Sequence, residues 1–215
     1  MPSLPEFTKP AELYYDEKES KKYHKNSRII KVQSEMAERA IDLLEIDDKS
    51  PLILDIGCGS GLSGKVLAER NCEWIGVDIS PEMLKIASSN TSSSGLICFD
   101  IGNGFPFKEE SFDYAVSIST VQWLFHSFQK DHIPQKRIRS FFRSLYDTVK
   151  KRVVIQFYCS EKQVEMLKNE AIRAGFDGGL VTDGENTKNC KNFLVLNKYT
   201  AKPNTKKSNQ SKSSI

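Results

Sequence analysis

The chemistry available to this chain sits in a run of alternating glycines and three carboxylates that each end an apolar stretch. Leu52-Ile53-Leu54 leads into Asp55, Gly57, Gly59 and Gly61 follow, and a new apolar periodicity begins at Leu62, Val66 and Leu67. That order reads as a buried strand, a tight turn and a helix start. Glycine at every second position lets the backbone approach something flat or extended where any Cβ would intrude. The helix beyond points free N–H groups at whatever lies there. The pattern D-x-G-x-G-x-G is neither the dinucleotide G-x-G-x-x-G nor a phosphate loop, because no Gly-Lys-Ser/Thr follows. Trp74-Ile75-Gly76-Val77 ends in Asp78, about 20 residues after the first glycine, where an acid accepts hydrogen bonds from a ribose diol.

The elements that must position these groups follow from the apolar patterning. Residues 1–27 begin with a proline-rich arm and a charged stretch carrying Tyr14, Tyr15 and Tyr23. These tyrosines either pack beneath the next helix or close over a ligand as a lid. Helical periodicity runs from Arg28 to Leu44. A helix over about 62–70 precedes the second strand. Ser80-Pro81-Glu82 then opens a helix, with Ser as cap, Pro in the first turn and an acid near the positive end. Leu96–Phe99 is a third strand ending at Asp100, and Phe112–Ser119 a fourth, apolar on both faces as parallel strands are. A helix over about 135–149, a strand over Val153–Tyr158 and a helix over 161–174 stopping at Gly175 come next. Leu180–Thr182 and Phe193–Leu196 read as an antiparallel pair. The expected fold is α/β, a doubly wound, mostly parallel sheet of seven strands with an antiparallel strand near the C-terminus. Residues 28–199 form its domain, and 200–215 a basic tail too polar to order itself. Ligands bind at the carboxyl ends of such strands, at the switch in strand order.

At 215 residues, 39% hydrophobic and 27% charged, the chain suits one domain with a full core. No apolar run approaches the roughly 18 residues of a membrane span, and the first residues lack a signal-peptide pattern. The five cysteines are scattered without a C-x-x-C pair, so neither a zinc site nor a disulfide framework is expected, and the compartment is a reducing one. A net charge of +3 gives no overall basic field for nucleic acid.

The glycine turn and Asp78 together resemble the class I S-adenosylmethionine-dependent methyltransferases. The resemblance implies that Gly57, Cys58, Gly59 and Gly61 cradle the methionine portion, that Asp55 orients the turn and holds the ammonium group directly or through water, and that Asp78 takes the ribose hydroxyls. Asp100 would accept from the adenine amine, the backbone N–H of Ile101 would serve the ring, and Ile79 and Ile101 would offer apolar faces. Ser117, at the end of the fourth strand, would also contact the cofactor. No Asn-Pro-Pro-Tyr motif for exocyclic amines follows that strand, and no Pro-Cys nucleophile is present. Catalysis by positioning remains, with an acceptor that already carries an in-plane lone pair.

Ser117 to Trp123 (SISTVQW), with Tyr23-x-x-Asn26-Ser27-Arg28 and AGFDGGLV, is similar to the eukaryotic 18S rRNA guanine-N7 methyltransferases over residues 10–199. That family implies a role in small-subunit maturation and a nuclear or nucleolar protein with a cytoplasmic fraction. Gln122 and Trp123 would face the guanine, Ser119 would position it, and Tyr23 and Arg28 would sit near the methionine end or the base. Family members carry a longer basic extension than Lys202, Lys206, Lys207 and Lys212 provide. Lys136, Arg137, Arg139 and Arg143, in a basic segment beginning at Lys130, either bind phosphates at the mouth or form a solvated helix face. The third strand, Leu96–Phe99, is expected at the sheet edge without a guarding Lys or Pro. The family names its cover as a small zinc-binding activator subunit shared by several methyltransferases. Two alternatives stay open: a small-molecule or tRNA methyltransferase with the same cofactor half, and an assembly factor whose scaffold outweighs its catalysis.

Overall fold

The computed structural model describes residues 4–129, 132–185, 187 and 190–199. The expected tail at 200–215, and Lys130 in the basic segment, lie outside the described residues.

Seven strands form one sheet: β1 (Leu52–Ile56), β2 (Glu73–Asp78), β3 (Gly95–Cys98), β4 (Phe112–Ile118), β5 (Val149–Phe157), β6 (Asp177–Asp183) and β7 (Lys191–Asn197). Their order is β3-β2-β1-β4-β5-β7-β6. The first five are parallel, and β7 inserts antiparallel between β5 and β6. The chain winds outward from β1 to β3 and then returns to β4 on the other side of β1. The switch point therefore lies between β1 and β4, and β3 is an edge strand, as the resemblance to methyltransferases implies.

Alternate residues feed two cores. Ile53, Tyr114, Val116 and Val154 pack with the apolar stripe of α3 (Ser27–Leu44) and with Val66 and Leu67 of α4 (Leu62–Glu69). Leu54, Ala115, Val153 and Ile155 point the other way, onto α6 (Pro134–Thr148) and α7 (Glu161–Ala174). Burying the Ile, Leu and Val side chains among them contributes about 1.5–3 kcal/mol each. The sequence places a loop between the helix near 135–149 and a strand from Val153. Instead β5 begins at Val149, directly after α6. Its early residues are Lys150, Lys151 and Arg152, which reach out to Asp113, Asp47, Asp48 and Glu45 at the amino edge of the sheet. Three consecutive cations conceal a strand from any hydropathy pattern.

The N-terminal segment is helical where the sequence shows only charge. After a turn at Pro5–Phe7 come α1 (Ala11–Tyr14) and α2 (Glu17–Lys25), the latter capped by Asp16, whose carboxylate accepts from Glu19 N at 2.9 Å. Asn26 caps α3, accepting from Arg28 N and Ile29 N at 3.1 Å each.

Candidate active site

A cavity of about 640 Å³ opens at the carboxyl ends of the central strands and runs beneath the N-terminal segment. Its floor is the turn after β1. Gly57, Gly59 and Gly61 all have left-handed backbone, with φ of 70°, 52° and 86°. A Cβ at Gly57 would lie 2.0 Å from Thr120 Oγ1, and one at Gly61 would lie 2.7 Å from Thr91 Cγ2. At Gly59 nothing stands within 4 Å, and this residue lines the cavity. The outer glycines thus allow close packing, while the middle one leaves the approach to a ligand clear.

Asp78, at the end of β2, faces the same space. Its Oδ2 accepts from Gly59 N at 2.9 Å and its Oδ1 from Ser80 N at 2.8 Å. Burial raises its pKa against the pull of those N–H donors. Asp100, beyond β3, is gripped by Arg137 of α6 through two bonds of 2.9 and 2.8 Å, and it also accepts from Gly102 N. Burial works to raise its pKa, but Arg137 and Gly102 N hold it below the ordinary carboxylate value.

The far end of the cavity is aromatic. Trp123 lies 6.2 Å from Tyr14 and 6.0 Å from Tyr15 between ring centroids, and Tyr15 meets Tyr23 edge-on at 5.7 Å. Ser80 Oγ donates to the carbonyl of Tyr15 at 2.9 Å and ties the N-terminal segment down over the floor, while Ser20 Oγ, within that segment, donates to the same carbonyl at 3.0 Å. Burial, reinforced by neighbouring hydroxyls and Asp78, raises the pKa of Tyr15 and Tyr23, so both stay protonated. Ser119 leaves β4 with φ 54°, and its N–H and Oγ both donate to Gln156 Oε1, at 3.0 and 2.9 Å.

A methyltransferase domain model matches residues 54–157. A Dictyostelium discoideum protein named a probable 18S rRNA (guanine-N7)-methyltransferase is 46% identical over 200 residues, which cover 90% of this chain and 70% of the relative. The Mus musculus 18S rRNA (guanine-N7)-methyltransferase is 44% identical over 195 residues, 89% of this chain and 69% of that protein. The chain belongs to the 18S rRNA (guanine-N7)-methyltransferase family. Solved structures share the fold of this methyltransferase at low identity. Magnesium protoporphyrin IX methyltransferase from Synechocystis PCC 6803, with bound SAM, superposes at TM-score 0.63 and 12% identity, covering 93% of this chain and 100% of that one. A putative methyltransferase in complex with the Haloferax volcanii Trm112 methyltransferase activator superposes at TM-score 0.56 and 14% identity, covering 82% and 97%.

Of the residues singled out in this methyltransferase, Tyr23, Arg28, Gly57, Gly59, Asp78, Ile79, Asp100, Ile101, Ser119 and Trp123 line the one cavity. Gly61 packs on Thr91, and Cys58 is buried against Gly76 beside a small second cleft. Three expectations need correction. Asp55 is fully buried beneath the turn, where its Oδ2 accepts from Ser63 Oγ at 2.7 Å, so it orients the turn but does not directly hold a ligand ammonium group. Ser117 is also buried and donates to the carbonyl of Ile56 at 3.0 Å, tying β4 to β1. Gln122 turns inward at 2% exposure and donates to the carbonyl of Ser119 at 2.8 Å, so it shapes the loop rather than facing a base. The basic segment divides as well. Arg137 is spent on Asp100 and Arg139 on Glu170, leaving Lys136 and Arg143 exposed to solvent. The sequence singled out Arg137 for phosphates but not its pairing with Asp100, and it did not reveal Gln156, because both partners lie 37 positions away.

The residues present fit S-adenosylmethionine. The volume is that of a cofactor pocket, the space above Gly59 is clear, and an acid held by backbone amides stands at the end of β2.

Proposed function

We propose that this protein transfers a methyl group from S-adenosylmethionine to N7 of a guanine in 18S rRNA during small-subunit maturation. The observation that carries the reading is one cavity joining a glycine-turn floor with Asp78 to an aromatic end at Trp123, in a chain of this family. Bound S-adenosylmethionine supplies a sulfonium methyl group open to in-line displacement by an acceptor. Gly57 and Gly59 hold the methionine portion on the floor. Asp78, already fixed by Gly59 N and Ser80 N, accepts from the ribose hydroxyls. Ile79 and Ile101 sandwich the adenine, and Asp100, locked by Arg137, accepts from its amine. Tyr23 and Arg28 close the methionine end, and Trp123 stacks on the guanine. Guanine N7 carries no proton, so the site needs no general base. Ser119, pinned by Gln156, helps hold the alignment, and alignment of this kind can lower a barrier by roughly 7–11 kcal/mol.

A small zinc-binding activator subunit pairs with β3 and makes the working enzyme a heterodimer. Support comes from β3 itself, a four-residue edge strand, Gly95–Cys98, with neither Lys nor Pro. The activator complex of the distantly similar archaeal methyltransferase supports the same reading. The substrate places the protein in the nucleus and nucleolus, with a cytoplasmic share.

The test is to map N7-methylguanosine in 18S rRNA from cells with the protein, without it, and with Asp78→Ala in its place. One modified guanine should disappear in both altered cells. An unchanged map would refute the reading. If the mark is lost with Asp78→Ala while subunits still mature, the scaffold matters beyond the reaction.

A further inference from the structure

The cavity holds more carboxylates than a cofactor of this kind employs. Asp78 is engaged by two backbone amides and Asp100 by Arg137 and Gly102 N. Glu19 turns to Lys22, at 3.3 and 3.2 Å. Glu12 is different. It lines the cavity, is partly shielded from solvent, and has no hydrogen bond or ion pair among the described residues. It stands on α1 two residues from Tyr14, the ring that leans on Trp123. An unengaged acid on the same short helix as Tyr14 thus lines the cavity that Trp123 also lines.

A carboxylate offers acceptors only, on two oxygens. Of the four RNA bases, only guanine presents two adjacent donors on its Watson–Crick edge, N1–H and the N2 amine. Adenine and cytosine set one donor beside an acceptor, and uracil sets one donor between two acceptors. The guanine N7 lies on the opposite edge of the ring. A carboxylate gripping N1–H and N2–H therefore leaves N7 free to accept the methyl group.

We propose that Glu12 selects the base, accepting from N1–H and N2–H of the guanine that Trp123 stacks. This rests on the guanine-N7 reading above. The lid thus brings the base reader with it, and recognition is complete only when the N-terminal segment is down.

The test uses the full chain co-produced with its activator subunit, and an 18S rRNA fragment with guanosine or inosine at the mapped position. Inosine keeps N7 and N1–H but lacks the N2 amine. Wild type should prefer guanosine by about 10- to 100-fold in kcat/KM, the range of a good bidentate base contact. Glu12→Gln should lose a similar factor on guanosine, lose little on inosine, and keep the wild-type dissociation constant for S-adenosylmethionine. Equal losses on both RNAs, or no loss on guanosine, would overturn the assignment of Glu12. Failure of wild type to modify guanosine at all would instead overturn the guanine-N7 reading itself.

Discussion

Asp55 shows how far a buried acid can depart from its solution behaviour. Burial first, and the nearby charge of Asp78 after it, push its pKa up to about 7, against the Ser63 hydrogen bond. An unfolded aspartate ionises near pH 4, so between about pH 4 and 7 the folded protein binds the extra proton. Stability from this group is therefore fully present below pH 4 and declines as pH rises through 7. The slope is at most about 1.4 kcal/mol per pH unit. Melting curves from pH 5 to 7.5 should show wild type losing stability relative to Asp55→Asn; parallel curves would contradict the assignment. At Asp78, replacement by Ala removes the carboxylate that accepts from Gly59 N and, on the proposed reading, from the ribose hydroxyls. Affinity for S-adenosylhomocysteine should fall about 10- to 100-fold by calorimetry. The acids at strand ends were legible because each closes an apolar run. Ser117 and Ser119 were harder. Alternation along a strand gives them one face, but Ser119 has already left β4 with left-handed backbone, so one serine is buried and the other meets the cavity.

At the scale of elements, two contacts join the wall of the site to the rest of the fold. Arg137 ties α6 to Asp100, with 11% and 19% of the two side chains exposed. Arg137→Ala strands a largely buried carboxylate and should cost about 2–3 kcal/mol, somewhat less than a fully buried pair. That corresponds to a drop of several degrees in melting temperature, with weaker cofactor binding alongside. A melting temperature within a degree of wild type would show the pair to be dispensable. Ser80 acts twice, capping α5 (Pro81–Asn90) through Met83 N at 3.2 Å and holding Tyr15 from its hydroxyl. Ser80→Ala should cost about 1 kcal/mol in capping and expose Lys18, Lys21, Lys22 and Lys25 to faster trypsin cleavage. Helices with caps and apolar stripes were readable, α3 above all. α1 and α2 were not, since α2 is almost wholly polar and is held by contacts with α5 and α3 that no local pattern encodes.

For the whole molecule, the doubly wound parallel sheet was legible because alternating strands and helices admit few windings, while the edge position of the third strand came from the resemblance to methyltransferases. Long-range pairs such as Arg137–Asp100 were not, since a charged side chain does not announce its partner. The edge carries a prediction of its own. Cys98 is exposed on β3, and Cys98→Lys would place there the charge that edge strands use to refuse pairing. The variant should keep the circular dichroism of wild type but lose the activator subunit on co-purification. Unchanged co-purification would move the interface elsewhere.

The roof held by Ser80 also bears on the order of binding. On the proposed reading the donor lies on the glycine floor under this segment, and Glu12, the proposed base reader, is carried by the same segment. On that reading the donor binds before the RNA, and initial-rate kinetics with both substrates varied should show that order.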